Sequence, residues 1–154
     1  MHFLCLAFLG ILLFFLPGKV MAAEKAEQEE QEAVRLLNEL REREGIAPLR
    51  WNPASRLQKA ARIRVHELEH SFSHTRPHGE DCDSVLAEVG LGYRRTGENI
   101  AYGTRLTARG VISMWNNSPG HHANMLNPQF QEVGLASWHG RGNTVYWVQI
   151  FLTR

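Results

Sequence analysis

Apolar residues recur at helical spacing in the first part of the chain. Residues 33–40 carry them at i, i+3, i+4 and i+7, which predicts an amphipathic helix that ends at Gly45. A second apolar stripe follows Asn52-Pro53, an N-cap residue and a proline suited to the first helical position, and it runs to about His70. These patterns predict two helices that each bury one face.

The pattern changes to period two near the C-terminus. Residues 133–137 alternate, residues 140–143 have turn composition, and residues 144–152 are rich in β-branched and aromatic side chains, so a hairpin is predicted. Between these regions the sequence predicts four short elements: a helix at 83–89, an extended piece at 98–102, a helix capped by Thr107, and a helix restarted by Ser118-Pro119. Helices first and a hairpin last favour an α+β fold in which helices cover an antiparallel sheet.

The N-terminal 23 residues have the pattern of a signal peptide. An apolar run, Phe3–Leu16, is followed by Pro17-Gly18 and by the small residues Ala22 and Ala23, after either of which cleavage is expected. Retention of this segment as an N-terminal anchor is the alternative. We interpret residues 24–32 as an acidic linker and residues 33–154 as one folded domain, with no membrane span after cleavage.

Charge and cysteine content narrow the classes of partner. The chain has 17 Lys and Arg against 16 Asp and Glu, and loss of Lys19 with the leader leaves the mature domain balanced. A balanced charge argues against nucleic acid as a partner, because phosphate binding needs a basic excess. Cys5 lies in the leader, so Cys82 is the one cysteine left after cleavage, and no internal disulfide is expected in the exported domain. We expect this domain to be a monomer.

Histidines cluster at residues 66–78 and 121–122. Residues 66–70, His-Glu-Leu-Glu-His, match the zinc-peptidase pattern H-E-x-x-H. Leu68 lies on the apolar stripe, however, which places both histidines on the polar side of the helix without a third ligand. The pattern therefore favours a solvated helix face over a metallopeptidase site.

Four other residues stand at the ends of elements, beside glycine, proline or hydroxyl residues. They are His74, Glu98, His121 and Glu132. A carboxylate that enters an apolar strand, as Glu98 does, is costly unless it has a partner. Two imidazoles and two carboxylates are suited to hold a divalent cation or to carry out acid and base chemistry.

The motifs around these residues resemble the bacterial branch of the CAP superfamily, which groups cysteine-rich secretory, antigen 5 and pathogenesis-related proteins. They are FSHT at 72–75, GENIA at 97–101, W-x-x-SPGH-x-ANML at 115–126, and EVG at 132–134. The resemblance covers about residues 30–152. It implies a three-layer α-β-α sandwich with a central antiparallel sheet, and a cleft lined by His74, Glu98, His121 and Glu132.

The resemblance also implies roles and leaves one choice open. His74 and His121 would bind a divalent metal such as zinc, with Glu98 and Glu132 behind them. Eukaryotic members have a Gly-His-Tyr-Thr-Gln motif where residues 145–149 read VYWVQ, so His121 takes the place of that histidine. His122 stands where bacterial relatives have arginine, and either neighbour is a candidate for the cleft.

Three functions remain open from the sequence. The first is a binding module for a metal and an extracellular ligand, namely a lipid, a peptide or cell-wall material, whose metal affinity falls below about pH 6.5. The second, less favoured, is a peptidase or other hydrolase with Glu98 as general base. Cys82 is a poor nucleophile beside Glu80 and Asp81, which raise a thiol pKa. The third is a purely structural His/Glu network.

Aromatic residues divide into two groups. Five are predicted in the core: Trp51, Trp115, Phe130, Trp147 and Phe151. Tyr102 and Trp138 are instead expected at the rim of a cleft.

Overall fold

The computed structural model describes residues 17–154, and it has the predicted α+β architecture. Residues 1–16, which hold most of the predicted leader, lie outside the described part. The helices are α1 (Pro17–Arg43), α2 (Arg56–His70), α3 (Ser84–Glu88), α4 (Ala108–Asn116) and α5 (Pro119–Met125). The strands are β1 (Arg95–Thr104), β2 (Glu132–His139) and β3 (Thr144–Thr153), with a short 3-10 turn at Arg141–Asn143.

The three strands form one antiparallel sheet in the order β1-β3-β2. One sheet face, with Trp147 and Phe151 of β3, is buried under α1, α4 and α5, and the other, with Val148 and Ile150, is buried under α2 and α3. Successive residues of a strand point to opposite faces, so each strand contributes to both cores. The implied three-layer α-β-α sandwich is confirmed. β1 is an edge strand, so side chains from both layers can meet at its free edge.

The close approach of α2 to the sheet depends on Gly134 in β2. A Cβ at this position would lie 2.5 Å from the backbone oxygen of Leu57 in α2. Real Cβ atoms do not approach backbone so closely, so any larger residue would push α2 away from the sheet. This explains the glycine of the EVG motif.

The start of α2 differs from the prediction. The helix begins at Arg56, and its N-cap is Ser55, whose Oγ accepts a hydrogen bond from the backbone N–H of Gln58 at 3.0 Å. Asn52 instead accepts from the backbone N–H of Ala54 at 2.9 Å and forms a turn. Both Asn52-Pro53 and Ser55 fit the N-cap preference, and only the actual turn geometry separates them.

The segment predicted as an acidic linker, residues 24–32, is helical and belongs to α1. Glu30 lies on the same side of α1 as Ala33 and Leu37, and its side chain is fully buried. Its carboxylate accepts hydrogen bonds from Arg62 of α2 at 3.1 Å and from the backbone N–H of Ser137 in β2 at 3.0 Å. A buried acid with partners on two other elements anchors this part of α1 to the domain.

None of the helices within residues 17–154 combines the length and the apolar composition that crossing a bilayer requires. Cleavage after Ala22 or Ala23 remains a prediction.

Burial raises the pKa of Glu30, although the hydrogen bond from Ser137 and the charge of Arg62 oppose the effect. A carboxyl group with a raised pKa binds its proton more tightly in the folded than in the unfolded state. As the pH falls from above this pKa to about 4.5, we therefore expect the wild type to gain stability relative to Glu30→Gln, which does not titrate. Urea denaturation of both proteins at several pH values measures this difference. A wild type that loses stability relative to Glu30→Gln as the pH falls would contradict the raised pKa of Glu30.

Candidate functional site

Glu98 of β1 is held by an arginine from α2. Arg64 Nε lies 2.8 Å from Glu98 Oε2, and Arg64 Nη2 lies 3.1 Å from Oε1, so the guanidinium contacts both carboxylate oxygens. Arg64 is fully buried, and the Glu98 side chain is 3% exposed. The partner that a buried Glu98 was expected to require is therefore Arg64, in the bidentate geometry that gives the strongest ion pairs.

Sequence reasoning missed Arg64, although a signal was present. Leu57, Ala61 and Leu68 form the apolar stripe of α2, and position 64 lies on that stripe. An arginine at a buried stripe position must find an internal acid or a set of carbonyls.

His74 lies on the loop between α2 and α3, and its ring is oriented by Glu98. Its Nδ1 is 2.9 Å from Glu98 Oε1, while the imidazole is 57% exposed. A carboxylate accepts hydrogen bonds, so Nδ1 carries the proton and, in the neutral ring, the lone pair is on Nε2. The chain Arg64–Glu98–His74 thus presents an oriented imidazole nitrogen at the protein surface.

The loop that carries His74 is fixed by a second arginine. Arg76 is buried and donates to Glu67 of α2 at 2.6 Å and to Glu88 of α3 at 2.8 Å. Arg64 also donates to Glu67, at 2.6 Å, and to the backbone oxygen of Ser73 at 2.9 Å. Burial alone would raise the pKa of Glu67, but the hydrogen bonds from Arg76 and Arg64 outweigh it and lower the pKa. The loop is held firmly enough to position His74.

These contacts also account for the H-E-x-x-H segment. Glu67 is used by Arg64 and Arg76, and the ring of His66 contacts Trp138 with centroids 4.2 Å apart. Glu67 and His66 therefore make contacts within the protein, whereas a solvated helix face was predicted. Within residues 17–154, the one group of three potential ligand side chains with closely spaced donor atoms lies elsewhere, at His74.

Of the two adjacent histidines, His121 is the one that is influenced by the charge of His74. Burial lowers the pKa of His121, and the nearby charge of His74 lowers it further. His121 Nδ1 is buried and has no hydrogen-bond partner among the described residues, whereas His122 Nδ1 lies 3.0 Å from Asn116 Oδ1. Asn99, next to Glu98, donates to the backbone oxygen of His121 at 3.1 Å and so ties α5 to β1.

The structure does not bring Glu132 to this site. Glu132 begins β2, which is separated from β1 by β3. Its carboxylate pairs with Arg50 at 3.3 Å and with Arg154 at 3.0 Å, in a different cavity of about 440 Å³. Chain order alone does not show which strands are neighbours, and the predicted role of Glu132 behind a metal therefore has no support in the geometry.

Cys82 is a site residue that sequence reasoning passed over. Single donor atoms of His74, Cys82 and Glu98 all lie within 4.8 Å of one another. The three residues line a cavity of about 330 Å³, together with Thr75, Asp81, Asp83, Thr96, Gly97 and Ile150. Burial, followed by the charge of Glu98, raises the pKa of the Cys82 thiol to about 11. The raised pKa was predicted, but the main causes are burial and Glu98, not Glu80 and Asp81.

A row of aromatic rings crosses the sheet from the loop that carries His74. Tyr102 lies on the same face of β1 as Glu98, and it is paired across the sheet with Tyr146, which in turn pairs with Trp138. Phe72, two residues before His74, contacts Tyr102 with ring centroids 4.6 Å apart. Tyr102 is 54% exposed and Trp138 is 36% exposed, but neither lines the cavity with His74, so their place at the rim of a cleft stays a prediction. We call Phe72, Tyr102, Tyr146 and Trp138 the aromatic rim.

The aromatic residues predicted in the core are mostly buried. Trp115, Trp147, Phe130 and Phe151 have little or no exposed surface, and Trp51 is partly buried against the same core.

The fold and these motifs are shared with a known family. Residues 34–151 match the sequence profile of the family described as CAP, the cysteine-rich secretory protein family. The chain belongs to the CAP family. The resemblance seen in the sequence motifs is thereby confirmed.

Two Bacillus subtilis proteins are similar in sequence to this CAP domain. The uncharacterized protein YkwD is 35% identical over 122 residues, which cover 77% of this chain and 44% of YkwD. The uncharacterized membrane protein YlbC is 25% identical over 125 residues, which cover 81% of this chain and 34% of YlbC. The chain thus spans less than half the length of either relative.

Solved structures support the same assignment. An extracellular protein from Bacillus anthracis that contains an SCP domain superposes with a TM-score of 0.71 at 26% identity, covering 84% of this chain and 41% of that one. An outer surface protein of Borrelia burgdorferi has a TM-score of 0.75 at 21% identity, covering 84% of this chain and 95% of that one, and this likeness shows the fold alone.

Proposed function

We propose that this CAP domain is an extracellular binding module that holds a divalent metal, zinc in the first instance, between His74 and His121. The observation that carries the proposal is the chain Arg64–Glu98–His74, in which a buried carboxylate orients an exposed imidazole. Metal-binding histidines almost always donate their second ring N–H to such an acceptor, which fixes the tautomer and makes the other nitrogen more basic. Glu98 would serve as that acceptor here.

The donor groups suit the metal. Imidazole nitrogen is a good ligand for zinc, and only the neutral ring binds. The lowered pKa of His121 keeps its ring neutral to a lower pH than usual. The buried Nδ1 of His121 has no partner in the described part of the chain, and a bound metal would give this ring one. A bound zinc ion supplies Lewis acidity and an open coordination position for a ligand.

Two further points support an extracellular role. The structural relatives from Bacillus anthracis and Borrelia burgdorferi are an extracellular and an outer surface protein, and residues 1–23 have the pattern of a leader. The aromatic rim beside His74 offers exposed rings to a second ligand. A lipid, a peptide or cell-wall material would each present groups that pack on such rings.

The binding module is favoured over a hydrolase that uses Glu98 as general base. Both oxygens of Glu98 accept from Arg64, and Oε1 also accepts from His74. The Glu98 side chain is also only 3% exposed, so little of the carboxylate is open to a water molecule that it could activate. A purely structural network is the remaining alternative, and zinc binding distinguishes it from the proposal.

We expect the wild type to bind one zinc ion and both His74→Ala and His121→Ala to bind it at least tenfold more weakly, because loss of even an outer partner costs roughly 10- to 100-fold. His122→Ala is the matched control, since His122 contacts Asn116 instead, and it should bind zinc as the wild type does. Calorimetric titration at pH 7 measures these four proteins and the double variant His74→Ala, His121→Ala. A wild type that shows no binding heat, or a His74→Ala, His121→Ala double variant with unchanged heat, would refute the proposal.

A further inference from the structure

Cys82 is the one cysteine within the described residues 17–154, and it is unpaired. It lies half-buried in the segment that leads into α3, on the wall of the cavity that His74 and Glu98 also line. No hydrophobic core holds it, because neither of the two buried clusters includes it. The thiol is placed beside the proposed metal ligand His74 rather than in the packed interior.

We propose that Cys82 Sγ is a ligand of the metal bound at His74, so that the site selects thiophilic cations such as zinc and cadmium over magnesium and calcium. This inference rests on the proposed metal site and adds a sulfur ligand to it.

The distances permit this role. One donor atom each from His74, Cys82 and Glu98 lies within 4.8 Å of the other two. In tetrahedral zinc sites the metal lies about 2.3 Å from sulfur and about 2.0 Å from nitrogen, so that ligand atoms stand roughly 3.5 Å apart. The 4.8 Å bound exceeds this separation by about 1 Å, so a side-chain shift of that size is enough to bring sulfur and nitrogen to bonding distance.

The electrostatics of the cavity also favour a cation. Its walls include three acidic residues: Asp81, Asp83 and Glu98. The positive charge of Arg64 is already paired with Glu98 and Glu67. Binding breaks the S–H bond of Cys82 and forms a metal–sulfur bond, and the proton leaves to solvent. Thiolate is a soft ligand that prefers zinc and cadmium, while magnesium and calcium prefer oxygen ligands.

Titration of the full chain with cobalt(II), a spectroscopic substitute for zinc, tests the inference. We expect a sulfur-to-cobalt charge-transfer band in the near ultraviolet that saturates at one equivalent. Cys82→Ser should lose the band and bind zinc and cadmium at least tenfold more weakly. Cys82→Ala is a second variant, and cadmium NMR of the wild type reports sulfur ligation without any substitution.

The outcomes separate the two proposals. Metal binding without the band in the wild type, or a band that persists in Cys82→Ser, would overturn the role of Cys82 and leave the metal site standing. Absence of any metal binding would overturn both. Equal affinity of the wild type for magnesium and zinc would contradict the selectivity.

Discussion

Replacement of Arg64 by alanine is expected to lower the free energy of unfolding by about 3–5 kcal/mol, the usual cost of breaking a buried ion pair by removing one partner. Glu98 would be left buried without its guanidinium, and Glu67 and the backbone oxygen of Ser73 would each lose a donor. Urea denaturation followed by tryptophan fluorescence measures the change.

A double variant separates the ion pair from other losses. Arg64→Ala combined with Glu98→Gln removes both charges. The double variant should therefore lose less free energy of unfolding than the two single variants lose in sum. The same variants should bind zinc more weakly, since His74 would no longer be oriented. A loss below 1 kcal/mol for Arg64→Ala would mean that Arg64 does not anchor Glu98.

Replacement of Arg41 by alanine is expected to cost a similar amount, about 3–5 kcal/mol. Arg41 is fully buried near the end of α1, and burial lowers its pKa. Its guanidinium donates to the backbone oxygens of four residues: Ala47 at 2.9 Å, Met125 at 2.7 Å, Asn127 at 3.1 Å and Phe130 at 3.3 Å. Alanine would remove the Arg41 donors from all four oxygens, and the hydrogen bonds to Met125 and Phe130 are buried.

Two comparisons make this prediction specific. Arg43→Ala, at an exposed position two residues later, should change stability by no more than about 0.5 kcal/mol. Arg41→Lys should recover little of the stability lost in Arg41→Ala, because an ammonium group cannot reproduce the planar set of donors of a guanidinium. Equal losses of stability in Arg41→Ala and Arg43→Ala would show that the hydrogen bonds of Arg41 to the four backbone oxygens contribute nothing to the free energy of unfolding.

The two arginines hold the two halves of the candidate site. Arg64 fixes Glu98 and, through it, His74. Arg41 holds the C-terminal end of α5, the helix that carries His121, and the segment that leads to β2. Both depend on α-helices that pack on opposite faces of the sheet. The geometry at the free edge of β1 is therefore set by buried charges in both layers.

Apolar periodicity was sufficient to predict the helices and the hairpin, because each buries one face. It failed where a buried stripe position carries a charge. Glu30, Arg41 and Arg64 all lie on the apolar stripes of α1 or α2, and each is satisfied by atoms far away in sequence. Their partners depend on how the layers are stacked, which a local pattern does not contain.

The candidate site was predictable only in part for a related reason. The motifs pointed to His74, Glu98 and His121; the structure joins His74 to Glu98 by a hydrogen bond, and Asn99 of β1 donates to the backbone oxygen of His121. Glu132 stands at the start of a strand just as Glu98 stands near one, but the sheet order places β3 between them. Cys82 reaches the site through the course of the loop after α2, for which no periodic signal exists.

A crystal of the full domain soaked in zinc, with anomalous data collected at the zinc edge, tests the central claim most directly. We predict one strong peak about 2.0–2.1 Å from an imidazole nitrogen of His74 and of His121, with Cys82 Sγ as a further ligand and Glu98 still paired with Arg64. No peak at this site, or a peak at His66 and His70 instead, would contradict the account.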